Sequence, residues 1–485
     1  MSITSPPGVF DILPEDRNEL WRSSYLWNYI EATIRETATQ FGYREIRTPM
    51  FERTELFARG VGETSDIVSK EMYTFEDKGG RSMSLRPEGT APVIRAFVEH
   101  QLHVESPINK LFYIAPMFRY DRPQAGRYRQ HHQFGAEAIG NDSPEQDVEM
   151  IDMMYTLYQK LGLKNLKVYI NSIGDVSSRL AFKEALLTYL RPLASQLSAD
   201  SQRRLEANPL RILDSKDPKD QEIASKGPSI LDFLNPESAA HFSKVQSLLT
   251  AINIPFEVNS KLVRGLDYYN KTVFEIVAGE LGAQNSIGGG GRYDGLIKML
   301  GGPDLPSIGF GTGIERILQT MIHQQVALPT PNRSSIFIIP LGDEAKEACF
   351  SLVHSLRANN VAAQMDFTGR KLNKVMQYAD QIKAKFVVVI GENELKTDIV
   401  ELKEMATGLK MSIHLSDLVS TMHLDSKSAD FIRIMEEMSR PFPTKTAPEY
   451  FQQRLSQALE ETQKISERMG KTLEEMEKLI QQKKL

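Results

Sequence analysis

Two runs of alternating character, Lys110 to Arg119 and Tyr128 to Ile139, flank a turn-rich loop, Asp121-Arg122-Pro123-Gln124-Ala125-Gly126. Alternation at a period of two marks strands, and the loop between them marks a long β-hairpin. A hairpin of this length commits its part of the chain to an antiparallel sheet. It also places Arg119, Arg122, Arg127 and Arg129 on a single strand–loop–strand. The guanidinium fork suits phosphate, so a grip on a polyanion is one reading. A solvated surface hairpin is the other.

The rest of the chain is organised around that sheet. At 485 residues it exceeds a single core, so at least two domains are expected. Asp16 to about Thr39 reads as a helix closed by Phe41-Gly42, and Tyr43 to Thr48 as a short strand stopped by Pro49. Pro144 to Leu161 reads as a helix. Residues 178–250 are helical and rather polar, an insertion, and strands resume at Phe256 to Val258 and Thr272 to Ala278. Ile308 to Gly313 reads as a strand running into a helix at Glu315, with a further helix at Asp294 to Leu300. Leu328-Pro329-Thr330-Pro331-Asn332-Arg333 is the clearest linker. It separates a first domain, 1–328, from a regular βαβ alternation over 332–423. Past a second break at Arg440-Pro441, residues 440–485 read as an amphipathic helical extension. The expected class is mixed α/β (α+β): an antiparallel-sheet core with a helical insertion, plus a C-terminal α/β domain.

Composition excludes several classes. No stretch approaches the roughly 18–20 apolar residues of a membrane span. The N-terminal residues lack the basic and apolar regions of a secretory signal. The single cysteine, Cys349, forbids an intrachain disulfide and a cysteine-based zinc cage, and a cytoplasmic location follows as the default. The net charge of −5 means that any nucleic-acid partner is held by local patches. His131 and His132 are adjacent on a strand and face opposite sides, so they do not share a metal, and no metal site is expected.

Five further segments carry candidate chemistry, each with a bland alternative. Leu85-Arg86-Pro87-Glu88-Gly89-Thr90 sets a carboxylate at a turn after a strand. Glu88 suits an ammonium group, or is a helix N-terminal acid favoured by the macrodipole. Gln133 and Glu137 share a strand face and frame a polar pocket, unless that face is exposed. Arg264-Gly265-Leu266-Asp267-Tyr268-Tyr269 sets two tyrosines beside an arginine, as a ligand wall or as packed core tyrosines. Gly288 to Gly291, before Arg292-Tyr293-Asp294, allows close backbone approach to a ligand but lacks the Lys-Ser/Thr of a Walker loop. Gly309 to Arg316 superficially matches a dinucleotide fingerprint with its third glycine too close, and Arg316 suits a terminal phosphate.

In this order the segments resemble the three signature motifs of class II aminoacyl-tRNA synthetases: Tyr43 to Pro49, Phe118-Arg119 through Glu137, and Gly309 to Arg316. The Glu88 and Arg264 segments resemble the histidine-specific motifs of histidyl-tRNA synthetases, and Asn208 to Asp214 resembles their insertion domain. The likeness covers about residues 6–420 and is of the bacterial type. It implies ligation of L-histidine to tRNA(His) with ATP as substrate, Mg²⁺ accompanying the ATP, and a homodimer with Pro49 at its interface.

The likeness also implies roles for individual residues. Glu88, Thr90 and Gln133 would bind the α-amino group, with Gly89 in the same segment. Glu137 and Tyr269 would hydrogen-bond the imidazole, and Tyr268 and Tyr293 would line its pocket. Arg119 and Arg264 would contact the α-phosphate as the catalytic arginines, and Arg316 the γ-phosphate. Arg122, Gln124 and Arg129 would read the tRNA acceptor end, and 332–423 would bind the anticodon. The extension 440–485 does not match the usual bacterial pattern. One rival is a non-catalytic regulatory relative, which would lack the anticodon-binding domain. Another is a class II synthetase for a different amino acid.

Overall fold

The computed structural model describes residues 3–62, 67–121, 127–206, 209–213, 215, 217–263, 268–279, 286–331 and 333–425. The expectations for Arg122, Gln124, Arg264 and the extension 440–485 lie outside them. The chain divides into two compact units after Pro331.

The first unit is built on an eight-stranded sheet. Its strands are β1 (Arg44–Glu45), β5 (Asn109–Phe118), β6 (Gln130–Ile139), β7 (Leu166–Ser172), β8 (Phe256–Val258), β9 (Asn270–Ala278), β10 (Ser286–Arg292) and β11 (Ser307–Gly313). They lie in the order β1-β5-β6-β11-β10-β9-β7-β8. Only the two edge pairs, β1–β5 and β7–β8, are parallel. The hairpin read from the sequence is β5–β6, paired from Asn109↔Ile139 to Phe118↔Gln130. A small antiparallel sheet, β2 (Phe51–Arg53), β3 (Thr74–Glu76) and β4 (Ser82–Leu85), precedes the helix Thr90–Glu99.

The large sheet buries one face beneath helices Ser24–Gln40, Pro144–Lys160 and Ile314–His323. Trp27, Ile30, Ile151, Met154, Phe274 and Leu318 share that core. The first helix starts at Ser24 rather than near Asp16. The Asp16 carboxylate accepts from the N–H groups of Asn18 and Glu19, and this turn holds the chain out of the helix. The glycines 288–291 form no loop: they lie in β10, paired with β9 and β11. The expected helix at Asp294 to Leu300 shrinks to Leu296–Met299.

Between β7 and β8 the chain makes helices Val176–Leu190, Ala199–Arg204, Pro218–Ser225 and Pro236–Ala251. Phe182, Leu186, Leu190, Ile212 and Ile230 form a separate apolar cluster there. The last helix is different: Phe242, Val245 and Leu249 pack into the core of the large sheet.

In the second unit a five-stranded sheet runs β13-β12-β14-β15-β16. Strands β12 (Ile336–Pro340), β13 (Ala363–Met365) and β14 (Phe386–Ile390) are parallel, as the βαβ alternation requires. An antiparallel hairpin, β15 (Ile399–Glu404) and β16 (Lys410–His414), extends the edge.

Candidate active site

The centre of the first unit holds a carboxylate surrounded by hydroxyls. Glu137 on β6 is fully buried. Thr90 donates to its Oε1 at 2.8 Å, and the Tyr293 hydroxyl donates to Oε2. The Tyr113 hydroxyl also acts on it, favouring the charged form. Burial pushes the Glu137 carboxyl up to about 8, against the lowering effect of those donors. Tyr268 and Tyr269 are buried nearby, with ring centroids 4.7 Å apart, and Tyr268 meets Tyr293 edge-on at 5.6 Å. Burial also holds the Tyr268 and Tyr293 hydroxyls well above the usual phenol range.

Backbone glycines make this cluster possible. A Cβ on Gly89 or on Gly135 would stand 2.2 Å from the Tyr113 ring. The ring therefore lies across two backbones at once, and its hydroxyl reaches both Thr90 and Glu137. Sequence reasoning missed Tyr113, since it lies in an apolar strand and has the look of core.

Glu88 stands just before the helix Thr90–Glu99. Its oxygens accept from the N–H groups of Thr90 and Ala91, both at 2.8 Å. These are the hydrogen bonds of a helix N-terminal acid. Burial raises its carboxyl, and the Arg119 guanidinium acts against that rise.

Beside the cluster opens a polar cavity of about 470 Å³ lined by Arg119, Arg127, His131, Gln133, Arg211 and Arg316, among others. That volume suits a small ligand. Arg119 follows β5, and its Nε donates to the Pro87 carbonyl at 2.8 Å. Arg316, in the first turn after β11, donates to the Ser286 carbonyl at 2.7 Å. Burial lowers the pKa of both guanidinium groups, which remain cations. His131 lines the same cavity, where burial and then Arg119 push its imidazole down to about 3. His132 faces away: it packs edge-on against Trp27 at 4.8 Å, and its backbone N–H and Nδ1 engage Glu315.

The expected residues thus fall into two adjoining groups. Arg119, Gln133 and Arg316 share the cavity, whereas Glu137 and Tyr293 form the hydroxyl-ringed cluster with Thr90. Gln133 and Glu137 do share a strand face, at positions paired with Gly313 and Gly309 of β11. Arg129, just before β6, stacks on the Tyr120 ring at 4.1 Å. Two arginines outside the expected set come from the insertion. Arg211 lines the cavity, and Arg179 donates to the Tyr269 carbonyl at 2.6 Å. No charge pattern in that polar stretch distinguished them from surface residues.

A largely antiparallel sheet carrying an arginine-bearing hairpin and a strand-to-helix arginine fits the class II aminoacyl-tRNA synthetase pattern. The histidyl-tRNA synthetase family profile matches residues 8–317, and an anticodon-binding-domain profile matches residues 335–423. The histidine–tRNA ligase of Protochlamydia amoebophila is 66% identical over 87% of this chain and 100% of its own length. That of Bacillus cytotoxicus is 48% identical over 87% of this chain and 98% of its own. The crystal structure of apo Staphylococcus aureus histidyl-tRNA synthetase aligns with a TM-score of 0.73 at 39% identity, covering 87% of this chain and 100% of that one. The chain belongs to the histidyl-tRNA synthetase family, and its activity is the ATP-driven ligation of histidine to tRNA. The match over residues 335–423 answers the regulatory rival, which would lack that domain.

Proposed function

We propose that the two adjoining groups divide the activation of histidine between them. The imidazole binds at Glu137 and Tyr269, with Tyr268 and Tyr293 as walls, and the α-amino group binds at Glu88, Thr90 and Gln133, beside Gly89. Arg119 and Arg264 hold the α-phosphate, and Arg316 the γ-phosphate. The histidine carboxylate then attacks the α-phosphorus in line, and the adenylate passes its acyl group to the tRNA 3′ end. The residues align reactants and stabilise charge without forming a covalent bond. The observation that carries this reading is the buried Glu137 carboxylate held by Thr90 and Tyr293 beside an arginine-lined cavity. A site built from buried polar groups rejects ligands that leave those groups unpaired.

Mg²⁺ would accompany the β- and γ-phosphates and offset their charge. Among the described residues no group of three metal-ligating side chains stands together, and Glu315 is engaged by His132. The carboxylates that line the cavity, Glu71, Asp121 and Glu315, are the protein groups that would face such an ion. Residues 1–328 form the catalytic domain with its insertion at 178–250, and 332–423 bind the anticodon. Arg122, Gln124 and Arg129 read the acceptor end. The chain works as a cytoplasmic homodimer, a reading supported by exposed Met50 and Phe51 beside Pro49. No helix among the described residues is long and apolar enough to cross a membrane.

The test is ATP–pyrophosphate exchange with each of the twenty amino acids, for the native chain and for Glu137→Gln. Exchange with histidine alone, weakened at the histidine KM by the substitution, is expected. A Glu137→Gln enzyme with native histidine KM would overturn the assignment.

A further inference from the structure

The helical insertion reaches the arginine-lined cavity from a distance. It leaves the sheet after β7 and returns at β8, the last two strands of the order. The strands that line the cavity, β6, β10 and β11, lie two to four places from β7. At about 4.8 Å per strand this is roughly 10 Å or more across the sheet. The insertion meets the cavity at a short turn, Pro209–Ile212, in which Pro209 and Ile212 are buried and Arg211 between them lines the cavity. Arg179, from another part of the insertion, is fastened to the Tyr269 carbonyl.

The cavity wall carries four arginines and three carboxylates. Glu315 is held by His132, Asp121 pairs with Arg127 at 3.3 Å, and the charge of Glu71 acts on Arg119. A wall of this kind receives an anion, and the planar guanidinium fork matches phosphate oxygens.

We infer that Arg211 is a phosphate-binding residue of the activation step, brought by the insertion to the triphosphate of ATP and to the pyrophosphate that leaves. This rests on the proposal that places the phosphates between Arg119 and Arg316. It makes the insertion part of the nucleotide site. Phosphate binding and the seating of the insertion are then linked, since each favours the other by the same free energy.

The test uses full-length Arg211→Ala, Arg211→Lys and Arg316→Ala in histidine-dependent ATP–pyrophosphate exchange, with AMP as a competing inhibitor. Arg211→Ala is expected to raise the KM of ATP and of pyrophosphate on the order of tenfold, the scale of one lost charge-assisted hydrogen bond. The histidine KM and the AMP inhibition constant stay unchanged, and Arg211→Lys recovers part of the loss. Unchanged ATP and pyrophosphate constants, with Arg316→Ala raising both, would overturn the inference alone. So would a loss confined to tRNA transfer, which assigns Arg211 to the acceptor end. A parallel rise for histidine, AMP and ATP would mean a displaced insertion and overturn it too. If Arg316→Ala also leaves both constants unchanged, the placement of the phosphates fails with it.

Discussion

Gly309 and Glu137 stand opposite each other across the β6–β11 ladder, and a Cβ on the glycine would lie 1.8 Å from a Glu137 carboxylate oxygen. The glycine is what leaves room for the carboxylate. Gly309→Ala should push Glu137 away from Thr90 and Tyr293 and raise the histidine KM on the order of tenfold or more, leaving the ATP KM in place. Overpacking should also cost about 1–3 kcal/mol in urea unfolding. An alanine enzyme with native histidine KM would show that the position of Glu137 does not matter for binding.

The raised Glu137 carboxyl makes stability depend on pH. Its ordinary value is 4.5, and in the fold it is about 8. Across that window the folded chain keeps a proton that the unfolded chain has released. The contribution is therefore complete below the unfolded value and is lost as pH rises through the folded one. The slope is at most about 1.4 kcal/mol per pH unit. Glu137→Gln should remove that slope, which urea unfolding at about pH 5.5 and about pH 7.5 would measure. Equal slopes in the two proteins would refute it.

Tyr113→Phe separates the ring from its hydroxyl. The ring still fills the space left by Gly89 and Gly135, so thermal stability should shift little. Thr90 and Glu137 lose a shared partner, at a cost of about 1 kcal/mol in histidine binding. Calorimetric titration with histidine reads this directly, and an unchanged Kd would make Tyr113 a packing residue only.

Arg292 is fully buried at the end of β10, with its Nε 2.7 Å from Asp147, whose other oxygen meets His241 at 2.7 Å. Its Nη2 donates to the carbonyls of Asn141 and Ser143. Arg292→Met leaves Asp147 buried beside His241 alone. Removing one partner of such a pair costs about 3–5 kcal/mol. Chemical denaturation should report a loss of that size, and one below about 1 kcal/mol would show that Asp147 is satisfied without the arginine.

Strand periodicity carried much of this site. It placed Gln133 and Glu137 on one face, and the strand-to-helix step after Gly313 placed Arg316. Periodicity does not see tertiary packing. Tyr113 became a site residue only because Gly89 and Gly135 leave its ring space from other segments. The glycine run at 288–291 looked like a loop because local conformational freedom was the visible signal. Pairing with β9 and β11 overrides it. Strands β15 and β16 escaped notice because charges such as Glu401, Lys403 and Lys410 break up their apolar pattern. Arg179 and Arg211 meet residues far from them in the chain, and sequence distance hides such contacts.

Strands β7 and β8 run parallel, from Val168↔Phe256 to Ile170↔Val258. Parallel neighbours cannot be joined by a tight turn, so everything between them is one crossover. Helix Pro236–Ala251, with Phe242, Val245 and Leu249 in the main core, performs that return. The stretch before it, clustered on Phe182, Leu186 and Ile230, has an apolar core of its own and carries Arg179 and Arg211. A shortened chain that splices from Gly174 to Asn235 keeps the crossover, whereas one cut at Ala251 strands β8 without a way back. Modular exchange of this insertion between synthetases therefore has a natural seam at Asn235, inside what reads as a single helical block.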